Sequence, residues 1–174
     1  DINLIDSMKT ESEAADGAEQ GQQIFNRIED LSIPTVAAVH GVCVGGGTEL
    51  VLSCKTIIAS DDDATAFGLP EVKLGLIPGF GGTYRMPKRI GLPASLDLIL
   101  TGKMVKGYKA KKLGLADETY PKENLLKMAP NFFKKPKKKE SLKDQLGHFA
   151  ADNFLSKKII FQKACENVLS KTKG

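Results

Sequence analysis

The feature that most constrains this chain of 174 residues is an apolar run that passes through a glycine-rich turn into a helix. Residues 35–39 have no polar face, which is typical of a strand covered on both sides. A glycine-rich turn is predicted at residues 41–47 and a helix at residues 48–53. Such a unit presents backbone N–H groups at a helix start, where an anion or a developing oxyanion is stabilised. A tight connection with no ligand explains the local pattern equally well.

The rest of the chain alternates helical and extended patterns. The predicted helices cover residues 19–31, 84–90, 94–100 and 108–113, and the predicted strands or extended segments cover residues 55–59, 65–67 and 72–74. A second glycine-rich turn is predicted at residues 78–82. A last amphipathic helix is indicated by the apolar positions Phe154, Ile159, Ile160, Ala164 and Leu169. The sequence therefore predicts an α/β fold with a helical C-terminal part.

Composition and charge exclude several classes of protein. A hydrophobic fraction of 41% fits one folded domain rather than a disordered chain. The sequence contains no 18-residue apolar run, so no membrane span is predicted. The net charge of +4 is uneven, with −6 over residues 1–30 and +5 over residues 131–143. The lysine-rich stretch around Pro136 is best interpreted as a solvated linker, because like charges repel and proline breaks a helix. A patch for nucleic acid, membrane or an anionic ligand is the alternative, but the lysines have no interleaved stacking residues.

Cysteine usage and the N-terminus indicate location. The three cysteines form no CxxC pair, which favours a reducing cytoplasm over a disulfide framework. No set of side chains has metal-ligand spacing, so we expect no metal. The first residues have neither a basic stretch nor an apolar core, so no signal peptide is predicted. The chain begins at Asp1 without a methionine, so we expect a piece of a longer protein.

Two carboxylates are candidates for proton transfer. Glu49 lies in the first turn of the helix after residues 45–47, where the helix dipole favours its charge. Glu71 follows Pro70 and is flanked by apolar residues, which favours the neutral carboxyl that a general acid needs. Two acids beside an N–H-lined pocket suit proton transfers next to a carbonyl, although a first-turn helix carboxylate is common.

A cysteine hydrolase is a competing interpretation. Cys43 occupies the nucleophile position of a G-x-nucleophile-x-G elbow, and Asp117 and His148 follow in the chain order of acid and base. A buried, apolar cysteine is the better interpretation by roughly ten to one, since free cysteines usually pack as small apolar residues. His40 precedes the turn, where we expect a hydrogen-bonded structural histidine rather than a base.

Taken together, these motifs resemble the enoyl-CoA hydratase/isomerase (crotonase) family. The resemblance runs over residues 1–130 and is carried by these segments: 33–41, 44–50, 67–71, 74–79, 81–83, 100–102 and 110–117. It implies a crotonase-like ββα spiral, with stacked sheets and surrounding helices, whose N-terminal strands are missing from this chain. The tail at residues 169–174 resembles the junction after the hydratase part of a multifunctional fatty-acid-oxidation α-subunit.

The resemblance assigns the roles of individual residues. Gly46 matches the glycine whose N–H forms half of the oxyanion hole, and Glu49 and Glu71 match the carboxylates that hold a water. Glu49 would activate this water for attack on C3 of a trans-2-enoyl-CoA, and Glu71 would protonate C2. The resemblance also implies that Gly45, Pro70 and Gly79 position water and substrate, Gly79 through its backbone. The two glutamates favour a hydratase over an isomerase or other CoA-thioester chemistry, which stay as alternatives.

The other half of the oxyanion hole is an alanine in the family. Asp1-Ile2 resembles the second half of its Gly-Ala-Asp-Ile-like loop, so the alanine would lie just before Asp1. We therefore expect this chain alone to hydrate poorly. We also expect a partial catalytic domain at residues 1–130, a basic linker at 131–143 and a helical segment at 144–174. The implied partners are an acyl-CoA substrate and a trimer-like homo-oligomer or larger β-oxidation complex in the cytoplasm, with no cofactor.

Overall fold

The computed structural model describes residues 7–133 and 154–172, and its elements alternate between helix and strand. In chain order they are α1 (Glu11–Glu29), β1 (Val36–Val39), β2 (Val42–Val44), α2 (Gly46–Leu52), β3 (Thr56–Ser60), β4 (Ala66–Gly68), a 3-10 helix (Pro70–Leu74), α3 (Gly82–Ile90), α4 (Leu92–Thr101), β5 (Met104–Lys106), α5 (Gly107–Leu113), β6 (Glu118–Tyr120), α6 (Lys122–Met128), a second 3-10 helix (Ala129–Phe132) and α7 (Phe154–Thr172).

The described strands form two small sheets. In the first, β1, β3 and β6 lie side by side and run parallel, with Ala37 opposite Ile57 and Ile58 opposite Glu118. In the second, β2 runs parallel to β4, and β4 runs antiparallel to β5. Because only two residues separate the end of β1 from the start of β2, the chain passes directly from one sheet to the other. The turn that follows β2 is thereby placed at the end of β4.

The hydrophobic core lies between these sheets and the helices that follow them. Its largest fully buried apolar side chains are Ile57, Phe67, Leu69, Met86 and Leu115. They come from β3, from β4 and the residue after it, from α3 and from the segment before β6. This core fixes the end of β4 and the start of α3, which are the two places that frame the candidate site.

The α/β alternation predicted from sequence is confirmed, although β5, β6 and α6 were not predicted. Three of the predicted segments also differ from the structure. The predicted helix at residues 19–31 begins at Glu11, because Thr10 caps it by accepting a hydrogen bond from the Glu13 N–H. The predicted turn at residues 41–47 contains β2, which pairs with β4. The prediction of extended chain at residues 72–74 is wrong. Pro70 stands in the first turn of a 3-10 helix there, where the missing N–H of proline costs nothing.

The C-terminal helix predicted from the apolar positions is confirmed as α7, which packs against α4. An apolar groove between these two helices is lined by residues that include Leu96, Leu100, Ile160 and Ala164. Residues 134–153, which include most of the basic stretch, lie outside the described part of the chain. In the described part, no helix is both long and apolar enough to cross a membrane.

Candidate active site

The turn between β2 and α2 is built on a backbone conformation that favours glycine. Gly45 has φ +55° and ψ −129°, and its N–H donates to the Gly68 carbonyl at 3.0 Å. A Cβ atom at this position would lie 3.2 Å from Glu71 Oε1. Thr48 lies behind the turn, with its hydroxyl 2.7 Å from the Cys43 carbonyl oxygen and 2.9 Å from that of Gly68. The turn is therefore fixed to the end of β4, and the Glu71 carboxyl lies against it.

Gly46 is the first residue of α2, and its Cα faces an aromatic ring. The N–H groups in the first turn of a helix have no acceptor within that helix. A Cβ atom on Gly46 would lie 3.4 Å from the Phe80 ring, so the glycine lets the ring approach the helix start closely. The start of α2 therefore lies close to Phe80 of the second glycine-rich turn.

Glu49 is buried, with 1% of its surface exposed. Its Oε1 accepts two hydrogen bonds of 2.8 Å each, from the backbone N–H groups of Phe80 and Gly82. Burial raises the pKa of Glu49, the two N–H donors oppose that rise, and the nearby Glu71 adds to it. A Cβ atom on Gly82 would lie 3.0 Å from Glu49 Oε1, so the absence of a side chain helps this backbone approach the carboxylate closely.

Glu71 lies on the 3-10 helix, one residue after Pro70. Its Oε2 is buried and has no hydrogen-bond partner among the described residues. Burial also raises the pKa of Glu71, and the lowering influence comes from its own backbone N–H. A buried carboxyl oxygen without a partner is rare in proteins and is typical of a place where a ligand or water is bound.

The two carboxyl groups form one electrostatic unit. They come from α2 and the 3-10 helix, yet the charge of Glu71 contributes to the raised pKa of Glu49. Two nearby carboxyls in a low-dielectric site hold a shared proton more readily than two charges. The arrangement is therefore suited to removing a proton from one atom of a bound molecule and delivering one to another.

The structure brings most of the predicted site residues together. Gly45 lies against the Glu71 carboxyl, Gly46 lies against the Phe80 ring, and Pro70 precedes Glu71 on the 3-10 helix. The second glycine-rich turn contacts Glu49, because Phe80 and Gly82 are its donors.

The Gly79 carbonyl accepts a hydrogen bond of 2.7 Å from Gln22 Nε2. A role for the Gly79 backbone in positioning water stays a prediction.

The structure does not bring together Cys43 and Asp117, which were considered for a cysteine hydrolase. Cys43 is half-buried on β2, and burial raises the pKa of its thiol. Asp117 accepts hydrogen bonds from the Ile57 N–H at 2.8 Å and from Arg89 Nη2 at 2.5 Å, at the sheet that does not contain Cys43. His148 lies outside the described residues. His40 contacts Ser60 Oγ at 3.0 Å, as expected for a structural histidine.

Sequence reasoning missed the groups that hold Glu49. It placed residues 78–82 in a glycine-rich turn, and the structure adds that Phe80 and Gly82 donate to a carboxylate more than 30 positions earlier. The succession of glycines was the available signal, because side chains would block such a close approach. Within residues 7–133 and 154–172, no cluster of three or more His, Cys, Asp or Glu side chains has the geometry of a metal site.

Comparisons with known proteins show what this chain is similar to. The sequence model described as enoyl-CoA hydratase/isomerase matches residues 3–168. The fatty acid oxidation complex subunit alpha of Vibrio vulnificus is 47% identical over 178 residues, covering 100% of this chain and 25% of that protein. The corresponding subunit of Aliivibrio fischeri is 47% identical over 174 residues with the same coverage. The chain thus spans about a quarter of the length of these curated relatives.

Solved structures give the same fold. An enoyl-CoA hydratase from Bacillus anthracis superposes with a TM-score of 0.65 at 27% identity, covering 93% of this chain and 64% of that one. A protein of the same description from Geobacillus kaustophilus superposes with a TM-score of 0.71 at 29% identity, covering 76% of this chain and 49% of that one. The fold expected from sequence, with two stacked sheets and surrounding helices, is confirmed.

Proposed function

This chain belongs to the enoyl-CoA hydratase/isomerase family, and on that premise we propose that it hydrates trans-2-enoyl-CoA to 3-hydroxyacyl-CoA in fatty acid β-oxidation. The observation that carries the proposal is the pair of carboxyls with different surroundings, the buried Glu49 and the half-buried Glu71. Glu49 accepts two backbone hydrogen bonds, whereas Glu71 Oε2 has no partner among the described residues. The reaction needs one group that accepts a proton and one that donates a proton, held close together.

The different surroundings support the direction of proton transfer. Burial raises the pKa of both carboxyls, but at Glu49 the N–H groups of Phe80 and Gly82 oppose that rise and stabilise the ionised form, which suits a base. Burial favours the neutral form of Glu71, which suits an acid. A water molecule between them would add its oxygen to C3 and lose a proton to Glu49. Glu71 would give its proton to C2, and a later transfer from Glu49 to Glu71 would restore the starting state.

The negative charge that develops during this addition falls on the thioester oxygen. The N–H of Gly46, at the start of α2, is the donor we propose for that oxygen. The second donor expected from the family would precede Asp1, and residues 1–6 lie outside the described part of the chain. Loss of one such donor typically slows a reaction by about 10²–10³-fold, so both donors are needed for full activity.

The substrate and partners follow from the same proposal. We expect an acyl-CoA thioester as substrate, with no resident cofactor, because the carboxyls and backbone donors account for each step. The relatives from Vibrio and Aliivibrio support a place for this chain in the alpha subunit of a fatty acid oxidation complex. We further propose a cytoplasmic, oligomeric protein, and the three cysteines are free in keeping with that location.

The test is the rate of hydration of crotonyl-CoA by the protein expressed from its complete reading frame. We expect Glu49→Gln and Glu71→Gln to lower kcat by about 10²–10⁴-fold each, because each removes a proton-transfer group while keeping the shape of the side chain. Glu123→Gln, on the exposed side of α6, is the matched control and should retain the parent rate. If both site variants hydrate crotonyl-CoA as fast as the parent, the assignment of the site is wrong.

A further inference from the structure

Arg85 is a buried cation with three directed hydrogen bonds. Its side chain on α3 is 3% exposed. Nε donates to Glu29 Oε2 at 2.8 Å and Nη2 donates to Asn26 Oδ1 at 2.5 Å, and both acceptors lie on α1. Nη1 donates to the Phe80 carbonyl at 3.0 Å. The planar guanidinium therefore joins α1 to the second glycine-rich turn in a fixed geometry.

The same turn also holds Glu49. The carbonyl of Phe80 accepts from Arg85, and the N–H of Phe80 donates to Glu49 Oε1 at 2.8 Å. Gly81 stands between the two donors to Glu49, with φ +103°. A Cβ atom on Gly81 would lie 2.2 Å from Arg85 Nη1, so the turn is shaped around the guanidinium. Displacing Arg85 would free the backbone that orients the carboxylate.

Helix α1 supports the turn from its other side. Gln22 Nε2 donates to the Gly79 carbonyl at 2.7 Å. The Phe25 ring meets the Phe80 ring edge to face, with 5.7 Å between the ring centroids. The contacts of α1 with the turn therefore converge on the residues beside the Glu49 donors.

We propose that Arg85 is a positioning residue, which holds the Phe80 and Gly82 donors on Glu49 and makes their geometry depend on the docking of α1. The inference rests on the proposed function, in which Glu49 is the base. Arg85 does not reach the reacting atoms in this arrangement, and it acts through the turn and through its charge.

The charged groups of the described residues that face Glu49 and Arg85 come from the 3-10 helix, α3 and α1. Glu49 is faced by Glu71 from the 3-10 helix and by Arg85 from α3, besides the two backbone donors. Arg85 is faced by Glu29 on α1, and Asp30 and Tyr84 border the same polar cleft. The positive charge of Arg85 lowers the pKa of Glu49 and so favours the ionised base. Loss of that charge is expected to move the acid limb of the pH profile to higher pH.

The experiment compares Arg85→Met and Arg85→Lys with Arg89→Met in the protein expressed from its complete reading frame. Arg89 is a matched control on the same helix. Its Nη2 lies 2.5 Å from Asp117 Oδ2, and this ion pair is away from Glu49 and Glu71. We expect Arg85→Met to lower kcat for crotonyl-CoA by about 10–100-fold, because small misplacements of a catalytic group are costly. The acid limb of kcat/KM should also rise in pH. Arg85→Lys keeps the charge, so it should lower kcat while leaving that limb near its parent position. Arg89→Met should keep the parent kcat and pH profile.

Amide hydrogen exchange gives a readout that does not require turnover. The Phe80 and Gly82 amides should exchange at least about tenfold faster in Arg85→Met than in the parent or in Arg89→Met. If Arg85→Met does not fold, the double variant Asn26→Ala/Glu29→Gln takes its place, because it removes the two acceptors of Arg85 on the exposed helix α1. We expect it to show the same changes in kcat, pH profile and exchange, but smaller. Parent-like kcat, pH profile and exchange in these variants would overturn the inference. Equal losses in Arg85→Met and Arg89→Met without a change in pH profile would overturn it too. A parent protein that does not hydrate crotonyl-CoA would instead defeat the proposed function, while the exchange rates still test Arg85.

Discussion

Gly21 and Gly17 lie one helical turn apart on α1, and alanine at the two positions should have opposite effects. An alanine inside a helix is more favourable than a glycine by about 0.5–1 kcal/mol, because glycine loses more backbone freedom on folding. At Gly17 a new Cβ atom meets the end of the Met8 side chain at 2.8 Å, and that flexible end can move aside. At Gly21 it would lie 2.3 Å from Cδ1 and 2.5 Å from Cε1 of the Phe80 ring.

The ring cannot yield as a methionine can. Phe80 packs edge to face on Phe25, and its backbone is held by Glu49 and Arg85. Overpacking of this kind costs about 1–3 kcal/mol, which exceeds the gain in helix propensity. We therefore expect Gly17→Ala to stabilise the chain by about 0.5–1 kcal/mol and Gly21→Ala to destabilise it by about 1–2 kcal/mol.

Thermal unfolding of the two variants of the 174-residue chain measures this difference. A gap of about 2 kcal/mol corresponds to about 4–8 °C in Tm for a chain of this size. In the protein expressed from its complete reading frame, Gly21→Ala should also lower kcat for crotonyl-CoA, whereas Gly17→Ala should not. If Gly21→Ala raises Tm as Gly17→Ala does, α1 does not pack on the Phe80 turn and the reasoning is refuted.

Two further predictions concern the pair of acids and Cys43. Burial raises the pKa of Glu71 in the folded state, so the unfolded chain loses this proton first and stability falls as pH rises above the ordinary carboxyl range. The Tm of Glu71→Gln should therefore rise relative to the Tm of the parent as pH is raised from 5 to 8 (~3 pH units). A difference in Tm that stays constant over this range would show that the Glu71 pKa is not raised. Cys43→Ala should keep most of the rate of crotonyl-CoA hydration, because the thiol contacts Thr48 rather than the carboxyl pair. Loss of all activity in a variant that still folds would instead favour a cysteine hydrolase.

Local sequence pattern predicted several of the elements that bury an apolar face, but it missed β5, β6 and α6. The strands at β1 and β3, and helices α3 and α4, were found within a few residues of their bounds. The N-terminal half of α1 was missed because residues 11–18 have no repeat of large apolar side chains to detect. Strand β2 was missed because it has three residues and is defined by its pairing with β4 rather than by its own pattern.

The candidate site divides in a similar way. Motifs along the chain pointed to Glu49, which lies in the first turn of a helix, and to Glu71, which follows Pro70. The donors to Glu49 and the partners of Arg85 could not be predicted, because the pairs are separated by 31 to 59 positions and depend on how α1 and α3 pack. No local propensity encodes a contact of that range.

These long-range contacts make α1 part of the site although it carries no residue that we assign to the chemistry. The helix has no buried residue. It meets the turn through Gln22, Phe25 and the close approach of Gly21 to the Phe80 ring, and it meets Arg85 through Asn26 and Glu29. An element held by so few contacts opens at a lower free energy than the core does. Whenever α1 leaves the turn, Arg85 loses both of its side-chain acceptors and a buried guanidinium becomes unpaired, which is costly. The turn that orients Glu49 must then rearrange, so the fraction of molecules with a competent base is bounded by the fraction in which α1 is docked.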